Sequence, residues 1–261
     1  MREGESQLTM PVFESNQQKM AYTQFGSGDT VFLWAHGWGH NRIAMDAIAR
    51  SLPHLGTHIL IDFPGFGESP LPTTNWTITD YAQFLHDFLK TIAAKKIIWV
   101  GHSFGCRVGI KLAALYPEMI HQMILIAAPG LPRIRPLYQT AYYFLRVRTF
   151  KILKFLLWKD TWKDTLRQKF SSPDFNNAGP LRSIFLNTIR EILAEDAKKI
   201  QCPTLLICGS EDSETPPDMS VRYKKLIPNA GLLILDNFNH NSILSAASAQ
   251  VSYNIKKFVQ S

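Results

Sequence analysis

A β-branched run, Ile97-Ile98-Trp99-Val100, stops at Gly101-His102-Ser103-Phe104-Gly105 and gives way to an apolar helical pattern carried by Val108, Ile110, Leu112, Ala113 and Leu115. Gly-x-Ser-x-Gly between a strand and a helix makes Ser103 a candidate nucleophile. The tight turn lifts its side chain clear of the sheet, and the glycines let the backbone crowd without a clashing Cβ. A serine hydroxyl attacks only when a base takes its proton, an acid orients that base, and N–H donors receive the charge developing on the substrate oxygen. His240, in Asp236-Asn237-Phe238-Asn239-His240, follows a strand pattern and lies downstream of the candidate acid, alone among the eight histidines in doing so. The acid comes from Gly209-Ser210-Glu211-Asp212, which leaves another strand; Asp212 is favoured over its neighbours Glu211 and Glu214. His36-Gly37-Trp38-Gly39 closes an earlier strand. That turn can aim the Trp38 N–H at the same place as the Phe104 N–H, which sits at the positive end of the helix after Ser103.

The other histidines have plainer roles. His36 is expected to fix its own turn by hydrogen bonding, and His102 fills the variable position beside the nucleophile. His54, His58, His86 and His121 fall at helix ends or surface faces, and His40 has no nameable partner. The glycine-rich exit Asp62-Phe63-Pro64-Gly65-Phe66-Gly67-Glu68-Ser69 lacks phosphate-loop spacing and a helix directly behind it, so it reads as loop architecture.

These residues need elements to hold them. Opening strand patterns at 10–14, 19–25 and 30–35 are followed by strict alternation: a helix near 41–52, a strand at 57–62, a helix near 77–93, the strand before Ser103 and the helix after it, and a strand at 119–127. Such alternation implies right-handed crossovers and a parallel sheet covered on both faces. Pro129-Gly130-Leu131-Pro132 then breaks the rhythm, and the chain to about Lys199 reads as helical, aromatic and basic. Strands return at 203–209 and 231–235, with a helix near 217–226 between them and a single terminal helix over 242–259. The helical stretch is therefore bracketed by two parts of one sheet. It reads as a cap, residues 131–196, on a core of residues 1–130 and 197–261.

With 261 residues, 46 % of them hydrophobic, the chain is long enough for one large α/β domain with an insertion. The stretch 1–18 has no apolar h-region and no apolar run reaches spanning length, so a cytoplasmic chain without a transmembrane segment is expected. Cys106, Cys202 and Cys208 show neither CxxC nor metal-ligand spacing, and buried free thiols are expected.

HGWG, DFPGFGES, GHSFG, GSEDSETP and NFNH, in this order, resemble the motif set of the α/β-hydrolase superfamily, in its serine-nucleophile branch with a small helical cap, carboxylesterase-like. The resemblance implies an eight-stranded, mostly parallel sheet, a Ser103, Asp212, His240 triad and an oxyanion hole from the Trp38 and Phe104 N–H groups. It implies a serine hydrolase cleaving a carboxylic ester, with no metal or organic cofactor. The alternatives are a thioesterase, a carbon–carbon bond hydrolase or a perhydrolase on the same fold, or a non-catalytic binding protein. Two departures stand out: Cys106 where many relatives carry a second glycine, and Asn239 before the histidine where glycine is common.

Substrate choice is expected to lie in the cap. Tyr138, Tyr142, Phe144, Phe155, Trp158 and Trp162 are expected to pack the cap's own core rather than line an acyl pocket. The net charge of +7 belongs to one segment: residues 131–170 carry ten cations against two acidic residues, and helical spacing aligns Arg148, Lys151 and Lys159. A solvated face is the default reading of such a run. The hypothesis set beside it is an acidic acyl carrier protein presenting an acyl ester, such as a pimeloyl-carrier-protein methyl ester, or else an anionic membrane surface. Nucleic acid is a poor fit, since no nucleic-acid motif accompanies the charge.

Overall fold

In the computed structural model, which describes residues 11–134, 142, 144–150, 152 and 173–261, eight strands form one sheet. These are β1 (Val12–Ser15), β2 (Gln18–Gly26), β3 (Thr30–Ala35), β4 (Thr57–Ile61), β5 (Lys96–His102), β6 (Gln122–Ile126), β7 (Thr204–Gly209) and β8 (Ala230–Leu235), in the order β1-β2-β4-β3-β5-β6-β7-β8. β1 and β2 pair antiparallel, as do β2 and β4; every pairing from β4 to β8 is parallel. The mostly parallel α/β sheet expected from the alternation is therefore present.

Helices α1 (Ile43–Arg50), α2 (Ile78–Lys90), α3 (Phe104–Leu115), α4 (Pro173–Asn177), α5 (Arg182–Arg190), α6 (Ala194–Ala197), α7 (Pro217–Leu226), α8 (Ser242–Ser245) and α9 (Ser248–Gln260) fill the connections. α2 starts where the Thr77 hydroxyl accepts from the Asp80 N–H and the Asp80 carboxylate accepts from the Thr77 N–H, a reciprocal cap satisfying two otherwise orphaned donors. The terminal helix expected as one piece is two, because the chain turns at Ala246 and Ala247 between α8 and α9. Between β6 and β7 the described residues contain helices and no strand. No helix among the described residues is long and apolar enough to cross a membrane.

Side-chain alternation with period two sends Leu33, Ile61, Trp99 and Leu125 to one face, where they meet Tyr81 and Leu85 of α2 and Val108 of α3. It sends Trp34, Leu60, Val100 and Ile124 to the other, against Met45 and Ile48 of α1 and Val251 and Ile255 of α9. Every residue of β4 is buried, as a strand covered on both faces must be. His58 is a correction to the surface position expected of it. It lies wholly buried in β4, its Nδ1 accepting from the Trp34 indole N–H at 3.1 Å and its Nε2 donating to the Leu52 carbonyl at 2.8 Å. Both ring nitrogens are satisfied, which is what lets a histidine sit in the core.

The sheet fixes where chemistry can occur. β3, β5, β7 and β8 run in one direction, so the turns after Ala35, His102, Gly209 and Leu235 all emerge at the same, carboxyl edge. Trp38, Ser103, Asp212 and His240 are carried by those turns.

Candidate active site

The turn after β5 is strained. Ser103 has φ 48° and ψ −109°, a conformation that costs a non-glycine residue about 1–3 kcal/mol and persists only where its surroundings impose it. Its N–H donates to the Ile126 carbonyl at 3.0 Å, and the Gly105 N–H donates to the His36 carbonyl at 3.0 Å. A Cβ on Gly105 would stand 2.1 Å from the Ala35 carbonyl oxygen, and one on Gly101 would stand 2.7 Å from the Gly105 carbonyl carbon. The two glycines of the motif are thus what allow α3 to start so close to β3 and β5. Gly109 extends the same contact, since a Cβ there would meet the Trp99 indole nitrogen at 2.3 Å.

Cys106, the departure from glycine, is buried with its Sγ directed at the Gly101 and Ile126 carbonyls, at 3.1 and 3.2 Å. Burial pushes its thiol far above the ordinary range, which favours the uncharged form of a packing residue. Burial likewise raises Cys208, and pushes Cys202 up to about 11; all three cysteines are free and buried, as expected.

The structure brings Ser103, His240 and Asp212 together. Ser103 Oγ lies 3.0 Å from His240 Nε2, and His240 Nδ1 lies 2.8 Å from Asp212 Oδ2. Asp212 is buried, its Oδ1 accepting from the Glu214 and Thr215 N–H groups at 2.8 and 2.7 Å and its Oδ2 from the Thr215 hydroxyl at 2.7 Å. Burial works to raise the Asp212 pKa, but the His240 hydrogen bond and charge and the Thr215 donors outweigh it and hold the carboxyl below its usual value. Of the three candidate acids, Asp212 is the one placed against His240 Nδ1; Glu211 is exposed, and Glu214 approaches the other nitrogen, with Oε2 3.6 Å from Nε2.

For His240, burial alone would lower the pKa; the Asp212 hydrogen bond and charge, followed by the charges of Glu214 and Asp174, more than reverse this and leave it above its ordinary value. Glu214 and Asp174 are contributors that sequence reasoning did not assign. In sequence Glu214 stands only as a rival acid beside Asp212, and Asp174 lies on α4, where no spacing ties it to the site. Glu214→Gln removes a negative charge beside the imidazolium, so the acidic limb of the pH profile of kcat/KM moves to lower pH, because the neutral base persists further into acid. An acidic limb that stays in place or moves up in this variant contradicts the assignment of the limb to His240.

His102, which sequence places only in the variable position beside Ser103, makes a contact with His240. Its Nε2 donates to the main-chain carbonyl of His240 at 3.0 Å, fixing the loop that carries the imidazole. Burial lowers its pKa to about 3, and that of His36 to about 4, so both stay neutral where His240 titrates. His36 does fix its turn: Nδ1 donates to the Gly37 carbonyl at 2.7 Å and Nε2 accepts from the Phe63 N–H at 3.1 Å. Asn239 also has a reason. Its Oδ1 accepts from the Asn241 and Ser242 N–H groups at 3.1 and 2.9 Å, an Asx turn that leads from His240 into α8.

Gly37 packs against Ser103; a Cβ there would stand 2.8 Å from His102 Nδ1 and 3.3 Å from Ser103 Cβ. Trp38 follows it, and among the described residues neither the Trp38 N–H nor the Phe104 N–H donates to a carbonyl. The Trp38 ring is held by Phe66, Phe104 and Phe185, with centroids 4.9, 5.5 and 5.0 Å away. The 62–69 loop is clamped to the same turn: the buried Asp62 carboxylate accepts from the Arg42 N–H at 2.7 Å, from the Arg42 guanidinium and from the Glu68 N–H at 2.9 Å. Gly67, at φ 54°, leaves room for that carboxylate.

Phe185 belongs to α5, in the connection between β6 and β7, and Arg107 on α3 ties that helix down. Its Nη1 donates to the Thr188 and Glu191 carbonyls, at 2.9 and 3.1 Å, at the end of α5. One turn on, Lys111 pairs with Asp196 at 2.7 Å. Of the aromatic residues expected to pack within this connection, Tyr142 and Phe144 are exposed instead, while Tyr138, Phe155, Trp158 and Trp162 lie outside the described residues. Arg148 is exposed on a helix; Lys151 and Lys159 lie outside the described residues.

With strand order, elbow and hydrogen-bonded side chains in place, comparison with known proteins decides the family. The model of the alpha/beta hydrolase family matches residues 31–251. The chain belongs to that family. A pimeloyl-[acyl-carrier protein] methyl ester esterase of Pectobacterium atrosepticum is 26 % identical, the match covering 86 % of this chain and 92 % of that one. An uncharacterized Mycobacterium tuberculosis protein is 29 % identical over 115 residues, 44 % of this chain, and the match spans only 33 % of that protein's length. The crystal structure of a membrane phospholipase A superimposes with a TM-score of 0.75 at 20 % identity, covering 97 % of this chain and 86 % of that one, and so shares the fold.

Proposed function

We propose that this hydrolase cleaves a carboxylic ester through an acyl-enzyme on Ser103. The observation that carries the reading is the continuous path from Ser103 Oγ to His240 Nε2 at 3.0 Å and from His240 Nδ1 to Asp212 at 2.8 Å, on a backbone strained into place. Ser103 Oγ attacks the ester carbonyl while His240 Nε2 takes its proton. Asp212, ionised, fixes the tautomer with hydrogen on Nδ1 and stabilises the imidazolium. The Trp38 and Phe104 N–H groups receive the oxyanion, the latter helped by the positive end of α3. His240 then gives its proton to the leaving alcohol. Water, deprotonated by the same nitrogen, attacks the acyl carbon, and the acid leaves as Ser103 regains its proton.

Residues 131–196 form a cap on a core of residues 1–130 and 197–261 in this reading, supported by Phe185 resting on Trp38 and by the Arg107 anchor. The cap then bounds the acyl side of the site. A carrier-bound acyl ester is the narrower substrate, favoured by the likeness to the pimeloyl esterase over 86 % of the chain. Rapid mixing with 4-nitrophenyl esters graded by acyl length tests the chemistry: a burst of nitrophenol equal to the enzyme present, followed by slower turnover, is expected. Free and carrier-bound methyl esters, run side by side, test the narrower substrate. Failure to turn over any ester, with turnover of thioesters or of a carbon–carbon bond substrate, sinks the ester assignment.

A further inference from the structure

We propose that the helical face carried by residues 144–150 and 152 docks on an anionic lipid surface, a property beyond the hydrolysis argued above. The motivating observation is an apolar face turned outward. Phe144 is 67 % exposed, Leu145 63 %, Val147 51 % and Ile152 52 %, whereas ordinary globular helices bury such residues and expose polar ones. At 100° per residue, positions 144, 145, 147 and 148 share an arc of about 160°, with Arg148 near its middle. Arg146 and Phe150 fall on the other side and are half-buried. The outward face is thus large and apolar with an exposed guanidinium at its centre.

Charge selects the occupant. The sequence around this helix, residues 131–170, holds ten cations against two acidic residues, so the partner is anionic. A second copy of the chain fits badly, because a twofold contact through this face would set Arg148 against its own counterpart. An acidic carrier protein would satisfy the cations but would meet four apolar side chains with a carboxylate-rich surface. A lipid surface of net negative charge accepts both: the apolar side chains enter the acyl boundary and Arg148 reaches back to the phosphates. Further exposed apolar residues stand on other connections leaving the carboxyl ends of the strands, namely Ile43 after β3, Leu71 after β4 and Ile134 after β6. That is the edge that carries Ser103, Asp212 and His240, so docking there would bring the site to the interface.

Vesicle co-sedimentation tests this, using the full chain as Ser103→Ala so that lipid is not consumed and the outcome does not depend on the hydrolase reading. The expected result is partition onto phosphatidylcholine vesicles containing phosphatidylglycerol, weaker on phosphatidylcholine alone and weakened by salt. Two added sets of substitutions should each reduce it: Phe144→Ser with Leu145→Ser and Val147→Ser by about tenfold or more, and Arg148→Glu by about fivefold or more. Because these side chains are exposed, thermal unfolding should barely change, which separates loss of docking from loss of fold. Absence of sedimentation with the anionic vesicles, or partition that either variant leaves unchanged, overturns the proposal. Capture of a purified acidic acyl carrier protein without vesicle binding overturns it too and assigns the face to that partner.

Discussion

Replacing Ser103 with alanine is expected to lower kcat/KM by about five to six orders of magnitude on every ester the protein turns over, with folding left intact. The side chain is half-buried, and the hydrogen bond it makes is to His240 Nε2. The backbone bonds that impose its positive φ, to the Ile126 carbonyl and through Gly105 to His36, do not involve the hydroxyl. Alanine therefore keeps the elbow and its strain, and the midpoint of thermal unfolding should move by no more than about 2 °C. Initial rates and a melting curve on the same preparation check both halves. A variant with near-parental turnover removes Ser103 from the mechanism; a variant that fails to fold shows that the hydroxyl was structural.

Asp212→Asn is expected to cost about 10⁴ in kcat while the chain stays folded. The physical reason is specific to its partners. Oδ1 accepts from two backbone N–H groups, of Glu214 and Thr215, so an amide must place its oxygen there. Its NH₂ then faces His240 Nδ1, 2.8 Å away, which must become an acceptor. The hydrogen moves to Nε2, and Nε2 can no longer take the Ser103 proton. Steady-state rates should show the loss in kcat at every pH tested, and Glu211→Gln in parallel should show none approaching it. If Asp212→Asn loses less than about tenfold, the tautomer is set by another group.

The sheet, the elbow and the order of the three site residues were legible because each rests on local pattern: β-branched runs, period two against period 3.6, and glycines at fixed offsets. What was not legible depends on distant neighbours. His58 looked like a surface histidine because nothing local announces that Trp34, on the neighbouring strand β3, will donate to it. His102 occupies a position the motif leaves open, and its bond to the His240 carbonyl joins residues 138 apart. Nothing local to Arg107 or Arg42 announces the acceptors that α5 and Asp62 supply. The break between α8 and α9 is also invisible locally, since Ala246 and Ala247, where the chain turns, are good helix formers. Phe144 was misplaced for the opposite reason: apolar residues at helical spacing imply burial, and here they face outward.

The central claim is that Ser103, activated by His240, carries the acyl group. Incubation with a fluorophosphonate followed by peptide mapping tests it most directly, because only an activated hydroxyl reacts at a useful rate and the adduct reports its own address. One adduct per chain, on the peptide containing Ser103, is expected, with labelling slowed at acid pH as His240 protonates and abolished in Ser103→Ala. Labelling at another residue, or an unlabelled Ser103 in protein that is turning over ester, contradicts it.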